Sequence, residues 1–222
     1  MRIVFQCAFA GGSQREVVNA LRHMVLRSGL DFAPAKVNTR WPRLAYGPAL
    51  AKGQTALREY ADIYLQTLVP VKQVKDSLHN GLPQGLTLLD VYRVPYALAC
   101  VQQLATVVVY EVVGDFAAYR PIKPLKEYIS SAKLEMVKQA ANGMKFTTDL
   151  KPFVVEAIQT APARIRLTMR SVADKWMNPL FLVYSWLGIE IPLEQDDLAD
   201  ESFTVIRQGL YWEDSQKNLH LI

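Results

Sequence analysis

From its second residue the chain switches between the apolar period of a strand and that of a helix. This switching constrains the fold more than any motif does. Residues 2–9 alternate, with Ile3, Phe5, Cys7 and Phe9 facing one way and Val4, Gln6 and Ala8 the other, which is a strand pattern. Ser13 and Glu16 then stand at capping-box spacing. Val17, Val18, Leu21, Met24 and Val25 follow at helical spacing, and Gly29 supplies a stop. A loop through Pro34 to Pro42 leads to a short strand at 44–46 and a longer one at 59–68. In the longer strand Ala61, Ile63 and Leu65 share one face, and Tyr60, Asp62, Tyr64 and Gln66 the other. Val71, Val74 and Leu78 mark a second helix, closed by Asn80-Gly81, and a strand at 86–94 comes next. The order β-α-β-β-α-β is that of the ferredoxin-like split βαβ unit.

The remainder reads on the same plan with an insertion. Strands are expected at 107–113, 134–139, 163–170 and 204–212, and a helix at 124–131. Residues 145–158 form an irregular or extended insert. Asn178-Pro179 opens a second helix as N-cap and first-turn proline, and Gly188 ends it. The expectation is an α+β chain of two ferredoxin-like (βαββαβ) halves with antiparallel sheets. They occupy residues 1–102 and 103–222, the second with an acidic loop at 190–201. The halves share element order and no sequence repeat, so an undivided α+β domain is the competing organisation.

Composition limits the function classes. With 222 residues, 50% hydrophobic and 21% charged, the chain has the make-up of a folded protein with a real core. No uninterrupted apolar stretch reaches the roughly 18 residues of a membrane-spanning helix. The first residues read as a strand instead of a signal peptide, so a cytoplasmic address and no membrane partner are expected. The net charge is +4, and it is unevenly spread. Residues 1–114 carry 12 Lys/Arg against 7 Asp/Glu and residues 115–189 carry 11 against 6, whereas 190–201 holds six acids and no base. A moderately basic surface favours encounter with polyanions; a solvated mixed-charge surface is the alternative. The two cysteines, Cys7 and Cys100, sit among apolar neighbours, far from His23, His79 and His220. That is too few ligands for a zinc site or an iron–sulfur cluster held by this chain alone, and no metal or other cofactor is expected.

The chain has no Gly-x-Gly-x-x-Gly, Walker A or Gly-x-Ser-x-Gly pattern. Two aspartates are the candidate catalytic carboxylates, Asp62 on the 59–68 strand and Asp149 beside Lys151. Glu59 and Asp62 fall on opposite strand faces and cannot act as a close acid–base pair. Asp62 held by a backbone or Arg contact is the structural alternative. Basic residues offer a second chemistry. Arg164, Arg166 and Arg170 share the face opposite Ile165, Leu167 and Met169, along about 20 Å of strand, a row suited to phosphates. The alternatives for this row are a solvated edge strand or salt bridges to the acidic loop 190–201. The loop at 36–43 brings Lys36, Arg40 and Arg43 around Trp41, which suits backbone contact plus base stacking; a packing anchor under Pro42 is the alternative for Trp41. Tyr60 and Tyr64 on one strand face are stacking candidates, as in RNA-recognition sheets, although the first strand adds no aromatic there.

The run Gly47-Pro48-Ala49-Leu50-Ala51-Lys52-Gly53-Gln54-Thr55-Ala56-Leu57-Arg58-Glu59-Tyr60-Ala61-Asp62-Ile63-Tyr64-Leu65 resembles the signature of the radical-SAM-linked domain family of unknown function. So does Leu82-Pro83-Gln84-Gly85-Leu86, and weaker echoes lie at residues 27–30, 149–152 and 206–211. Ser13-Gln14-Arg15-Glu16 and the segment 37–43 depart from the family pattern. The resemblance implies that relatives are encoded beside, or fused to, radical-SAM proteins, some with a cobalamin-binding part, and it supplies no catalytic residues. Taken together, the sequence points to an accessory binding module that works with a radical-SAM partner and presents RNA or another polyanion. The competing readings are an RNA-modifying enzyme using Asp62 or Asp149, and a purely structural protein-interaction domain. Nothing in the spacing sets an oligomeric state.

Overall fold

The computed structural model describes residues 1–8, 14–121, 123–139, 144–189, 191–192 and 202–222. It is an α+β structure dominated by antiparallel sheet, with few helices. The chain divides into two compact units, the first made of Met1–Leu50, Thr55–Thr106 and Gly209–Ile222, the second of Ala51–Gln54 and Val107–Gln208. The last residues of the chain thus group with the first unit, and Ala51–Gln54 with the second.

In the first unit the elements run β1 (Arg2–Cys7), α1 (Gln14–Arg27), β2 (Leu44–Tyr46), β3 (Thr55–Ile63), α2 (Val71–His79), β4 (Leu86–Tyr92) and α3 (Val101–Leu104). The sheet order is β4-β1-β3-β2, with every pairing antiparallel. Ile3 lies opposite Ala61, and Arg2 opposite Asp62, so the alternation of both strands lines up face on face. One face carries Ile3, Phe5, Cys7, Ala61 and Ile63 into a core closed by Val17, Leu21, Met24 and Val25 of α1 and Val74 and Leu78 of α2. Each Val, Leu, Ile, Met or Phe side chain among them contributes roughly 1.5–3 kcal/mol on leaving water. Glu16 in the first turn of α1 and Arg27 in its last suit the helix dipole. Gly29 takes the left-handed conformation (φ +69°) just past its end. Ser13, the expected cap, lies outside the described residues.

Strand β3 begins before residue 59 because its pairing with β1 continues to Cys7 and Ala56. It stops at Ile63, short of residue 68, because the chain then pairs with the 33–43 loop. Tyr64 donates its N–H to Arg43 O (3.4 Å), and Tyr64 O accepts from Ala33 N–H (2.7 Å). Tyr64 is thus off the strand that holds Tyr60.

The second unit holds β5 (Val107–Gly114), a 3-10 turn at Phe116–Tyr119, α4 (Leu125–Ile129), β6 (Glu135–Gln139), β7 (Lys145–Asp149), β8 (Val154–Ala161), β9 (Arg164–Arg170), α5 (Pro179–Leu187), β10 (Ile191–Pro192) and the first part of β11 (Phe203–Glu213). Its strands form two sheets. One runs β11-β5-β9-β8, the other β10-β6-β7, with β10 parallel to β6. Of the two readings of residues 145–158, irregular or extended, the extended one holds. These residues supply β7, a 3-10 turn and the start of β8, which hairpins onto β9 through Pro162-Ala163. Strand 134–139 forms as read, yet it joins the small sheet instead of the sheet of β5 and β9.

Helix α5 follows its punctuation. Asn178 Oδ1 accepts the Leu180 N–H at 3.0 Å, Pro179 takes the first turn, and Gly188 ends the helix at φ +70° with its N–H on Ser185 O. Its apolar residues go all round because nearly the whole helix is buried. Phe116 packs between Trp186 and Phe203, and the Trp186 indole N–H finds Lys123 O at 2.7 Å. From Gly209 onward β11 belongs to the first unit, where it pairs with β12 (Leu219–Leu221), Tyr211 opposite Leu221. No helix among the described residues is long and apolar enough to cross a membrane.

Candidate ligand cleft

The polar face of β3 carries Asp62, and β1 aims Arg2 directly at it. The guanidinium grips the carboxylate with two bonds, Nε to Oδ1 at 2.7 Å and Nη2 to Oδ2 at 3.0 Å. Both side chains are buried, Arg2 3% and Asp62 6% exposed. The pair also ties down the chain that leaves β4. Arg2 Nη2 donates to Ala99 O at 3.2 Å, and Val101 donates its N–H to Asp62 Oδ2 at 2.9 Å. Burial works against charge on Arg2, but the carboxylate outweighs it and holds the guanidinium pKa above its ordinary value. The ion pair is thus a latch between the end of β3 and residues 99–101.

The segment just before the latch, with Val94, Pro95, Tyr96 and Leu98, lines a cleft of about 160 Å³ together with Met1 and the end of β3. Asp62 lies at its base. Tyr64 and Leu65 line one side, Val94, Tyr96 and Leu98 the other. Tyr96 is 89% exposed and Leu98 50% exposed, so the rim is an aromatic and apolar lip. The Arg43 guanidinium stands over the Tyr64 ring, 4.2 Å from its centroid. Burial pushes the Tyr64 hydroxyl pKa up.

The basic loop beside this cleft is a small ladder. Ala35 N–H bonds to Trp41 O at 2.9 Å, Arg43 N–H to Ala33 O at 2.7 Å, and Pro34 bridges Pro42. Asn38 turns the tip, its Oδ1 accepting the Arg40 N–H at 3.0 Å. Lys36 and Arg40 are left exposed there. Trp41 is spent on packing: its ring meets His23 edge-on, with centroids 5.4 Å apart, and Arg22 stands 5.5 Å from it. The half-buried ring thus ties the loop to α1.

The other candidates fall elsewhere. Tyr60 is fully buried, its hydroxyl accepting from Arg58 Nε at 2.7 Å, and it offers no stacking face; burial raises its pKa. Asp149 is exposed and accepts the Lys151 N–H at 2.9 Å, a local turn contact. Glu59 is buried and lies opposite Phe5, on the face away from Asp62. In the second unit, Arg164 and Arg166 are exposed and Arg170 half-buried on β9. This strand is internal, between β5 and β8, so the edge-strand alternative does not hold. Arg164 reaches Glu111 of β5 at 3.2 Å. The acidic residues of 190–201 lie outside the described residues.

Sequence reading missed Arg2, Tyr96, Leu98 and the fully buried Arg207, whose guanidinium lies 5.6 Å from the Tyr110 ring. An arginine on the first strand, in the position facing Asp62, was the one available signal for the latch. Cys7 is buried in the first-unit core, while Cys100 caps α3 half-buried, Sγ 3.4 Å from Gln103 Oε1. Among the described residues no group of three or more His, Cys, Asp or Glu stands together as metal ligands.

A family model described as uncharacterized protein conserved in bacteria (DUF2344) matches residues 8–179. The chain belongs to this family. The match spans α1, the loop 36–43, the cleft residues from Asp62 to Leu98 and most of the second unit, while Met1 and Arg2 precede it. No curated protein matches the chain at a significant level.

Proposed function

We propose that the chain is an accessory binding module that takes single-stranded RNA or a similar flexible polyanion on its first unit. The observation that carries this reading is the cleft at the end of β3. An exposed aromatic side chain (Tyr96) lines the same cleft as a tyrosine (Tyr64) that already carries a guanidinium (Arg43). A base stacks on an aromatic face in a sequence-tolerant way, and a guanidinium beside it matches a phosphate. Lys36 and Arg40 at the loop tip extend the cationic surface. The enzyme reading, with Asp62 or Asp149 as the working carboxylate, is the weaker one: Asp62 lines the cleft but is paired with Arg2 and Val101 N–H, and Asp149 serves its own turn.

Two finer readings belong to the proposal. The strand order β4-β1-β3-β2 supports a ferredoxin-like plan for the first unit. The order β11-β5-β9-β8 supports the same plan in the second, with β8 in the place expected for strand 134–139. A radical-SAM protein is the partner that the family resemblance implies, in the cytoplasm. It would hold the cluster, for which this chain's two separate thiols are too few.

The test is binding of a single-stranded RNA oligonucleotide across a salt series. Arg43→Ala should lower the slope of log affinity against log salt by about 0.7 per lost phosphate contact. Tyr96→Ala should cost about 1–3 kcal/mol for the lost stacked base and leave the slope unchanged. No binding at low salt removes the reading. Binding abolished by Arg164→Ala/Arg166→Ala/Arg170→Ala and untouched by the cleft variants moves the site to β9.

A further inference from the structure

Among the described residues the small sheet ends on β7, whose five side chains are all exposed and whose outer side no strand covers. One hydrogen bond fixes which backbone groups of β7 are in use. Leu150 donates its N–H to Leu134 O at 2.7 Å, one step beyond the pair Glu135–Asp149 in the β6–β7 register. In an antiparallel ladder, residues that exchange bonds with their partner alternate with residues that turn both groups the other way. Phe146 and Thr148 therefore bond toward β6, as Leu150 does. Lys145, Thr147 and Asp149 present N–H and C=O outward.

Those three outward residues are self-complementary. Laid antiparallel on its own copy about Thr147, the strand sets Thr147 opposite Thr147 in the hydrogen-bonding position. Lys145 then falls opposite Asp149 at both ends. The pairing also answers an electrostatic defect within the sheet. Glu135 and Asp149 lie directly opposite each other, a like-charge pair that costs stability. Lys133 reaches Glu135 at 3.6 Å, whereas among the described residues Asp149 has only the Lys151 N–H. A second copy would bring Lys145 to Asp149. It would also lie beside Phe146, 45% exposed, at an edge that carries no proline to block pairing.

We propose that β7 is a self-association edge: two copies of this chain pair through β7 about Thr147, making the small sheet continuous through a two-fold dimer. This inference is independent of the polyanion reading.

Sedimentation equilibrium of the full chain tests it. The wild type should dimerise reversibly below roughly 1 mM. Lys145→Glu and Asp149→Lys should each raise the dimer dissociation constant by at least about tenfold, since each sets like charges across both ends of the pairing. An equimolar mixture of the two variants should associate as the wild type does, because each copy brings the sign the other lacks. Thr147→Pro removes an outward N–H that β6 does not use, and should abolish the dimer with an unchanged circular-dichroism spectrum; if it unfolds the chain, the charge variants decide. A wild type that stays monomeric to roughly 1 mM overturns the proposal. So does a dimer indifferent to the charge variants, or a mixture that fails to regain association.

Discussion

β3 and β9 are both inner strands of their units, flanked on either side by paired neighbours, and each turns charged residues away from an apolar face. The outcome differs. On β3 the charged residue Asp62 is sealed, gripped by Arg2 and by the N–H of Val101, and serves to hold a loop. On β9, Arg164 and Arg166 stay in water, Arg164 sharing Glu111 across the ladder. The alternation that produces both patterns is the same. What differs is whether another segment crosses the polar face: residues 99–101 do so over Asp62, and Arg164 keeps a side-chain exposure of 55%. A charge on a strand is a latch where a chain segment covers it, and a surface feature where none does.

The largest effect expected from this contrast is at Asp62. Asp62→Ala strands a buried guanidinium and frees the Val101 N–H, and should destabilise the protein by about 3–5 kcal/mol in denaturant unfolding. Replacing the pair together, Arg2→Met with Asp62→Leu, should recover most of that loss, because an apolar pair of similar size carries no desolvation cost. A loss under about 1 kcal/mol for Asp62→Ala would place the pair with surface ion pairs and erase the distinction drawn between the two strands. Arg164→Ala is the counterpart. It should cost less than about 1 kcal/mol and less still at high salt, again read by denaturant unfolding; a larger, salt-independent loss would mean that β9 is covered as β3 is.

A third carboxylate sharpens the contrast without full burial. Asp214 turns the β11–β12 hairpin, accepting from His220 Nε2 (2.9 Å) and from the Asn218 amide and backbone. The His220 contact first, then Asn218, holds its carboxyl well below the usual carboxylate range. A carboxylate whose folded pKa is depressed gives stability that is present above its unfolded pKa and lost as pH falls toward the folded value. Melting temperature should therefore decline as pH drops below the usual carboxylate range, and Asp214→Asn should flatten that part of the profile. The change should be the smallest of the three, since the hairpin lies at the surface, Asp214 is only half-buried and its contacts are screened. An identical profile in the variant would show that the hairpin turn does not report on Asp214.

Some of this protein was decided locally and was legible from the sequence. α5 begins at Asn178-Pro179 and ends at Gly188 because capping, first-turn proline and left-handed glycine act within a few residues. The core faces of β1 and β9 follow from alternation, which is set by the geometry of each strand alone. Other features depended on partners far along the chain. β3 stops at Ile63 because the 33–43 loop takes over the pairing. Residues 145–158 become strands because β6 and β9 stand ready to accept their backbone groups. Tyr60 is sealed and Tyr96 exposed although both are tyrosines in or beside strands, because the packing around one face excludes water and around the other does not. Periodicity states which way a side chain points. Whether it meets water, an ion or another segment is settled by long-range contacts, whose energies enter only when the tertiary structure brings those segments together.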